Sequence, residues 1–172
     1  MTSERIEPGE WQLSFSQPEA EFIMNTLARL GRHYQEDVTQ MSPSLRAYWQ
    51  GTLTRGAADK DELRESQEVL SEARIELRAE RLALVENWMQ EYELAESRDP
   101  WKVEISNTER DEFISMLNDR RMLIALELGI TEADMEADLA QLANETRRAS
   151  ILEIDVLGHF ILVMLGPQIY RP

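Results

Sequence analysis

The sequence predicts a mostly α protein: a single-domain helical bundle over residues 1–172, with one long central helix and a small two-stranded β element. Three observations predict this fold class. The length fits one domain with one hydrophobic core. A run without glycine or proline, rich in strong helix formers, extends over about residues 57–97. Two short segments alternate apolar and polar residues as half-buried strands do.

The two alternating segments occupy residues 11–16 and 101–106. Each leads into a helix start with the spacing of a capping box, Ser16 with Glu19 and Ser106 with Glu109. Because two short strands need a core to cover them, we expect the segments to pair on top of the helices. The preceding residues 1–9 are polar and mixed in charge, so we expect a flexible N-terminal tail.

Helix-start and helix-stop residues divide the rest of the chain. Pro43 begins a short helix, Pro100 ends the long one, and Gly129 stands where a left-handed residue is needed after a helix. Thr131 with Asp134 indicates another start. The predicted helices follow Ser16, begin at Pro43, and cover about residues 57–97, 108–128 and 145–165.

The long helix carries more apolar surface than a lone surface helix needs, in two stripes on adjacent faces. The first stripe contains Leu63, Leu70, Leu77 and Leu84, and the second contains Ile75, Leu82, Val85 and Met89. Glutamates flank the leucine stripe on one side and arginines on the other, namely Glu72, Glu76 and Glu80 against Arg74, Arg78 and Arg81. We predict that the leucine stripe is an interaction surface for an antiparallel neighbour, in this chain or in a second copy.

Composition limits the classes of partner. The net charge of −15 repels phosphate backbones, so we predict no nucleic-acid binding. We expect a protein partner, and any partner chosen by charge should be basic or bring metal ions. Mimicry of nucleic acid is consistent with this charge, although no carboxylate spacing indicates it. The apolar run at residues 151–165 is too short for a bilayer and contains charges, so we predict no membrane span. The first residues do not resemble a signal peptide, which favours a cytoplasmic location.

Asp155 and His159 are weak candidates for catalysis on the apolar C-terminal helix. They are four residues apart and share one helix face. In one interpretation the Asp155 carboxylate orients the His159 imidazole as a base or a metal ligand. In the alternative, which we favour, the two residues are a structural pair at the rim of the core. His33, after the first helix's glycine, is a further candidate. The chain has no cysteine, and zincin, P-loop, dinucleotide and Glu-x-x-His motifs are absent, so we predict no cofactor and no metal.

A second polar cluster lies inside the next-to-last long helix. Asn118, Asp119 and Arg121 stand between apolar neighbours, so part of this cluster is expected to be buried and hydrogen-bonded. Asp119 is another weak catalytic candidate, in a polar site shared with Asp155 or His159. The alternative, which we favour, is a structural network that joins helices.

Residues 113–132 contain the stretch Leu117-Asn118-Asp119-x-Arg121 and end in Leu128-Gly129-Ile130-Thr131-Glu132. This pattern resembles an uncharacterised bacterial family, domain of unknown function number two-thousand-and-seventeen, in which an apolar C-terminal helix follows. The resemblance covers residues 105–165 well and most of the chain loosely. The last helix departs from the family, since Ile151, Ile154 and Leu157 stand where aromatic residues are common. The resemblance implies a fold and no reaction.

The sequence therefore favours a non-enzymatic protein that acts through protein–protein contacts, as an adaptor or regulator, and that forms homo-oligomers. The partner's identity is not indicated. The alternative is a metal-binding protein or an enzyme that uses Asp155 and His159, together with His33 and Asp119.

Overall fold

The computed structural model describes residues 1–50, 60–95, 99–137, 139, 142 and 144–166. The strands in these ranges are β1 (Thr2–Glu7), β2 (Glu10–Phe15) and β3 (Trp101–Ser106). The helices are α1 (Gln17–Gln35), α2 (Pro43–Gln50), α3 (Lys60–Leu94), α4 (Asn107–Leu128), α5 (Glu132–Glu136) and α6 (Glu145–Leu165), with a 3₁₀ turn at Val38–Gln40. The described chain is mostly helical, as the sequence predicts.

The sheet has three antiparallel strands in the order β1-β2-β3. β2 and β3 pair with Trp11 opposite Ile105 and Phe15 opposite Trp101, which confirms the predicted pairing. The prediction of a two-stranded element preceded by a flexible tail is wrong, because Thr2–Glu7 pairs with the other edge of β2. Most β1 side chains are exposed. Backbone hydrogen bonds hold this strand, so it leaves no burial pattern in the sequence.

Three helix starts are capping boxes, as the sequence predicts. At α4 the backbone N–H of Ser106 donates to the Glu109 carboxylate at 2.8 Å, and the Ser106 hydroxyl accepts from the Glu109 N–H at 3.2 Å. Gly129 ends α4 with φ 58°, in the left-handed region. These local signals fix where α1, α4 and α5 begin, because each satisfies helix N–H groups that otherwise have no partner.

The described side chains of the long helix α3 are covered on one side. Its 35 residues span about 50 Å at 1.5 Å per residue. The buried side chains in the described part of this helix are Arg78, Arg81, Val85 and Trp88. The opposite side is exposed and includes Glu72, Glu76 and Glu80. The expectation of a central helix with two covered faces is therefore wrong. The two predicted stripes merge into one buried side, which leaves Ile75 58% exposed. Residues 57–59 of the predicted helix lie outside the described residues.

The core lies between the inner face of the sheet and the helices. Its aromatic centre consists of two stacked pairs, Trp88 on Phe113 with ring centroids 4.3 Å apart and Phe15 on Trp101 at 5.3 Å. α1 packs closely along α3 because Gly31 has no side chain: a Cβ there would lie 3.3 Å from Cγ1 of Val85. This close approach brings the C-terminal end of α1 next to the arginines of α3.

Candidate functional site

A single buried carboxylate joins four helices. Asp119 on α4 is 5% exposed, and both of its oxygens accept hydrogen bonds. The Tyr48 hydroxyl on α2 donates to Oδ1 at 2.6 Å. The Tyr34 hydroxyl on α1 donates to Oδ2 at 2.9 Å, and Nη1 of Arg81 on α3 donates to the same oxygen at 2.6 Å. We call these four residues the Asp119 cluster.

The charges of the Asp119 cluster are balanced. Arg81 also pairs through Nε with Glu112 at 3.1 Å. Burial opposes the charge of Arg81, but Asp119 and its other neighbours outweigh burial and raise the pKa of this guanidinium. Burial and the Asp119 carboxylate raise the pKa of Tyr34 and of Tyr48, so both phenols stay protonated and donate. Because its charges and hydroxyls are paired, the cluster has the properties of a structural joint between helices.

The structure places the residues of the predicted polar cluster, Asn118, Asp119 and Arg121, in different surroundings. Asp119 lies in the core, whereas Asn118 is exposed, because consecutive helical residues point about 100° apart. Asn118 and Arg121 line a separate hollow of about 220 Å³ beside Ile130. The Arg121 guanidinium lies close to Gly158: a Cβ added at Gly158 would be 3.6 Å from it. The partners of Asp119 therefore come from other helices and not from its neighbours in the sequence.

The candidates for metal or acid–base chemistry lie in different surroundings. Asp155 and His159 are both exposed, and in the described structure they form no hydrogen bond or ion pair with each other. The ring nitrogens of His33 lie 3.5 Å from a Glu36 carboxylate oxygen and 3.3 Å from one of Glu127. Within the described ranges, no three His, Asp or Glu side chains are grouped as metal ligands. The geometry thus places Asp155 and His159 on a helix surface.

The leucine stripe predicted as an interaction surface is half-buried where the structure describes it. Its described members are Leu70, Leu77 and Leu84. Each is half-buried, and Leu84 packs against the hydrophobic core. The side chain of Leu63 lies outside the described residues. The arginines on this side also turn inward, since Arg78 and Arg81 are buried. Leu84 therefore packs within this chain, and the role of the leucine stripe as an interaction surface stays a prediction.

An open apolar face lies on α6 instead. Its exposed apolar side chains include Leu152 (49%), Val156 (37%) and Leu162 (63%). Asp155 and His159 lie among them, and we call these five residues the α6 face. The inner side of α6, with Leu157 and Phe160 buried, packs against the core. Neither α6 nor another helix of the described ranges has the length and hydropathy needed to cross a membrane.

A cavity of about 450 Å³ lies between the end of α1, the 3₁₀ turn, α2 and α3. Its apolar wall includes Val38, Trp49 and Leu82, and its polar wall includes Arg78. We call it the Trp49 cavity. Tyr34 lines this cavity and also belongs to the Asp119 cluster, so the cluster supports one wall of the cavity. The sequence gives no motif for this cavity, because its walls come from four separate segments.

Sequence reasoning missed Tyr34, Tyr48 and Arg81 as partners of Asp119. The only available signal was weak: Arg81 belongs to the predicted arginine row of the long helix, and Tyr48 to the predicted apolar face of the short one. Nothing in either pattern indicates that these side chains meet a carboxylate on another helix.

No family model, curated protein or solved structure matches this chain. The resemblance of residues 113–132 to an uncharacterised bacterial family stays a prediction. The function is therefore inferred from the geometry alone.

Proposed function

We propose that this chain is a non-enzymatic interaction protein that associates with a second copy of itself through the α6 face. The observation that carries this proposal is the open apolar surface of α6, where Leu162 is 63% and Leu152 49% exposed. Exposed apolar side chains grouped on one helix face are typical of protein–protein contacts, because burying them removes apolar area from water. The side of α6 that faces away from the core is thus available to a partner.

The order of residues on the α6 face supports a second copy as the partner. Leu152 and Leu162 are placed symmetrically about residue 157, and so are Asp155 and His159. At 100° per residue these four side chains fall within an arc of about 80°. Two α6 helices that pack antiparallel about a two-fold axis at residue 157 therefore bring Leu152 of each copy to Leu162 of the other.

The same axis brings Asp155 of each copy opposite His159 of the other. A two-fold interface repeats each contact twice, so the arrangement contains two carboxylate–imidazole pairs between leucine pairs. Such pairs fix the register and direction of the helices more than they add affinity. This arrangement gives the two residues that the sequence singled out a role in pairing helices.

Light scattering and sedimentation equilibrium across the micromolar range test this proposal. We expect the wild-type chain to form a dimer and Leu162→Glu to be a monomer, because the substitution places a charge in both of the apolar leucine contacts. Val69→Glu is the matched control: Val69 on α3 is 64% exposed, so this variant also adds one carboxylate at an open apolar position. It is expected to dimerise like the wild type. A monomeric wild type, or a dimer that survives Leu162→Glu, would contradict the proposal.

Exchange of the charged pair tests the antiparallel register. His159→Asp places Asp opposite Asp, and this like-charge contact is expected to weaken the dimer about tenfold. The double variant Asp155→His/His159→Asp restores an opposite pair in each contact, so its dimer is expected to recover. Equal dimer affinity in the single and double variants would show that another register, or another surface, forms the contact.

A further inference from the structure

The two titratable side chains of the α6 face are accessible. Asp155 and His159 are both exposed, and neither forms an ion pair with another described residue. They lie among the exposed apolar side chains of Leu152, Val156 and Leu162. A partner that covers these apolar side chains therefore also covers both titratable groups.

The described charges that contact α6 from other elements are arginines of α1 and α4. They are Arg29 and Arg120, which bind Glu153, Arg110, which binds the Met164 carbonyl, and Arg121, which lies against Gly158. On β1, which also packs against α6, the N-terminal ammonium pairs with Glu19 of α1. Within one chain, the described charges beside His159 are thus Asp155 on its own helix and Arg121 on α4, and their effects on a proton at His159 oppose each other.

We propose that protonation of His159 regulates self-association, so that the dimer tightens as the pH falls below neutral. This inference rests on the proposed antiparallel pairing of α6, in which Asp155 of each copy lies opposite His159 of the other. Histidine is the side chain whose charge ordinarily changes between about pH 5 and 8, whereas an exposed aspartate stays ionised down to about pH 5. Acidification therefore converts two contacts between a carboxylate and a neutral imidazole into two ion pairs.

The direction of this pH dependence follows from the proton balance of association. In the dimer each imidazolium gains a second carboxylate, so the dimer holds these protons more tightly than the separate chains do, and association takes up protons. The association constant therefore rises as the pH falls. Because each copy has a net charge of −15, any bound proton also lowers the repulsion between copies. That general term is common to all variants, whereas the paired term needs both His159 and Asp155.

Sedimentation equilibrium of the full chain at pH 7.5 and pH 5.5 tests this inference. For the wild type we expect the dissociation constant of the dimer to be about tenfold lower at pH 5.5, since two exposed ion pairs form. His159→Gln has no titrating group at this position and is expected to lose this response. His159→Lys carries a cation at both pH values, so its dimer is expected to be as tight at pH 7.5 as at pH 5.5.

His33→Gln is the matched control, because the chain contains two histidines. His33 lies on α1 with its ring nitrogens 3.5 Å from a Glu36 carboxylate oxygen and 3.3 Å from one of Glu127, so it is already placed between carboxylates of its own chain. This variant is expected to keep the full pH response of the wild type. Asp155→Asn retains His159 but removes the opposing charge, and it is expected to lose the response.

The outcomes separate this inference from the proposed function. A wild-type dimer of equal affinity at both pH values would overturn the regulation by His159 and leave the proposed dimer standing. A tenfold response that persists in His159→Gln or in Asp155→Asn would overturn it as well, because another group would then be responsible. A wild type that is monomeric at both pH values would contradict the proposed function itself, and this inference with it.

Discussion

Two buried guanidinium groups lie one turn apart on α3, and they have opposite surroundings. Arg81 binds the carboxylates of Asp119 at 2.6 Å and Glu112 at 3.1 Å. Arg78 contacts two backbone carbonyls and an indole ring, and its Nε–H has no acceptor among the described residues. Both side chains are more than nine-tenths buried. The buried ion pair of Arg81 joins α3 to α4, whereas Arg78 is bound to backbone carbonyls at the end of α1.

The largest expected loss of stability comes from replacing Arg81, the arginine that is paired with Asp119. Arg81→Met leaves the Asp119 carboxylate buried with two phenols and no cation, so we expect a loss of about 3–5 kcal/mol in the free energy of unfolding, measured by denaturant titration. Asp119→Asn in the same background removes the stranded charge and is expected to recover part of this loss. Asp155→Asn is the exposed control and is expected to change stability by less than about 0.5 kcal/mol. If the changes in the free energy of unfolding of the two single variants simply add in the double variant, Arg81 and Asp119 are not coupled.

Replacement of Arg78 is expected to reduce stability less than replacement of Arg81. Arg78→Met removes the hydrogen bonds to the end of α1 and the contact with Trp49, but it also removes a buried charge that has no ion pair in the described part of the chain. These effects oppose each other, so we expect a loss of only about 1–2 kcal/mol in the free energy of unfolding. A loss as large as that of Arg81→Met would remove the distinction between the two arginines.

The smallest expected effect on stability comes from the phenols of Tyr34 and Tyr48, and it appears only at alkaline pH. Burial and Asp119 raise the pKa of Tyr34 and Tyr48 in the folded chain above the usual value of about 10. The folded state therefore keeps protons that the unfolded chain has lost, so this stability is present below pH about 10 and is lost as the pH rises further. Ultraviolet absorbance of phenolate is expected to show these two tyrosines ionising only when the chain unfolds. The double variant Tyr34→Phe/Tyr48→Phe should lack this ionisation on unfolding. Ionisation of these tyrosines in the folded wild type would contradict their burial beside Asp119.

Much of the fold was predictable because its signals are local. The capping pair Ser106 and Glu109 lies within one helical turn, and Gly129 acts through its own backbone angle. The pairing of β2 with β3 follows from two alternating patterns that need the same core. β1 was missed because its side chains are exposed and only its backbone is paired. The one-sided burial of α3 was missed because two adjacent stripes do not reveal how many neighbours a helix has.

The candidate sites show the same limit. Asp119 was expected to be buried and hydrogen-bonded, yet its partners Tyr34, Tyr48 and Arg81 stand between 38 and 85 positions away in the sequence. The Trp49 cavity has walls from four segments, and no spacing rule relates them. The α6 face differs, because its symmetric order about residue 157 was already present in the sequence. Only the structure revealed that this side of the helix is open.

The sequence by itself determined the helices, two strands and the caps, since each depends on residues a few positions apart. It also determined the net charge of −15. Tertiary structure alone decided that Arg81 forms an ion pair with Asp119 while Arg78 forms no ion pair in the described part of the chain. Their contacts depend on how α1, α2 and α4 pack around α3. Side chains one turn apart on a helix share a face, but what lies opposite each of them is set by the packing of distant segments.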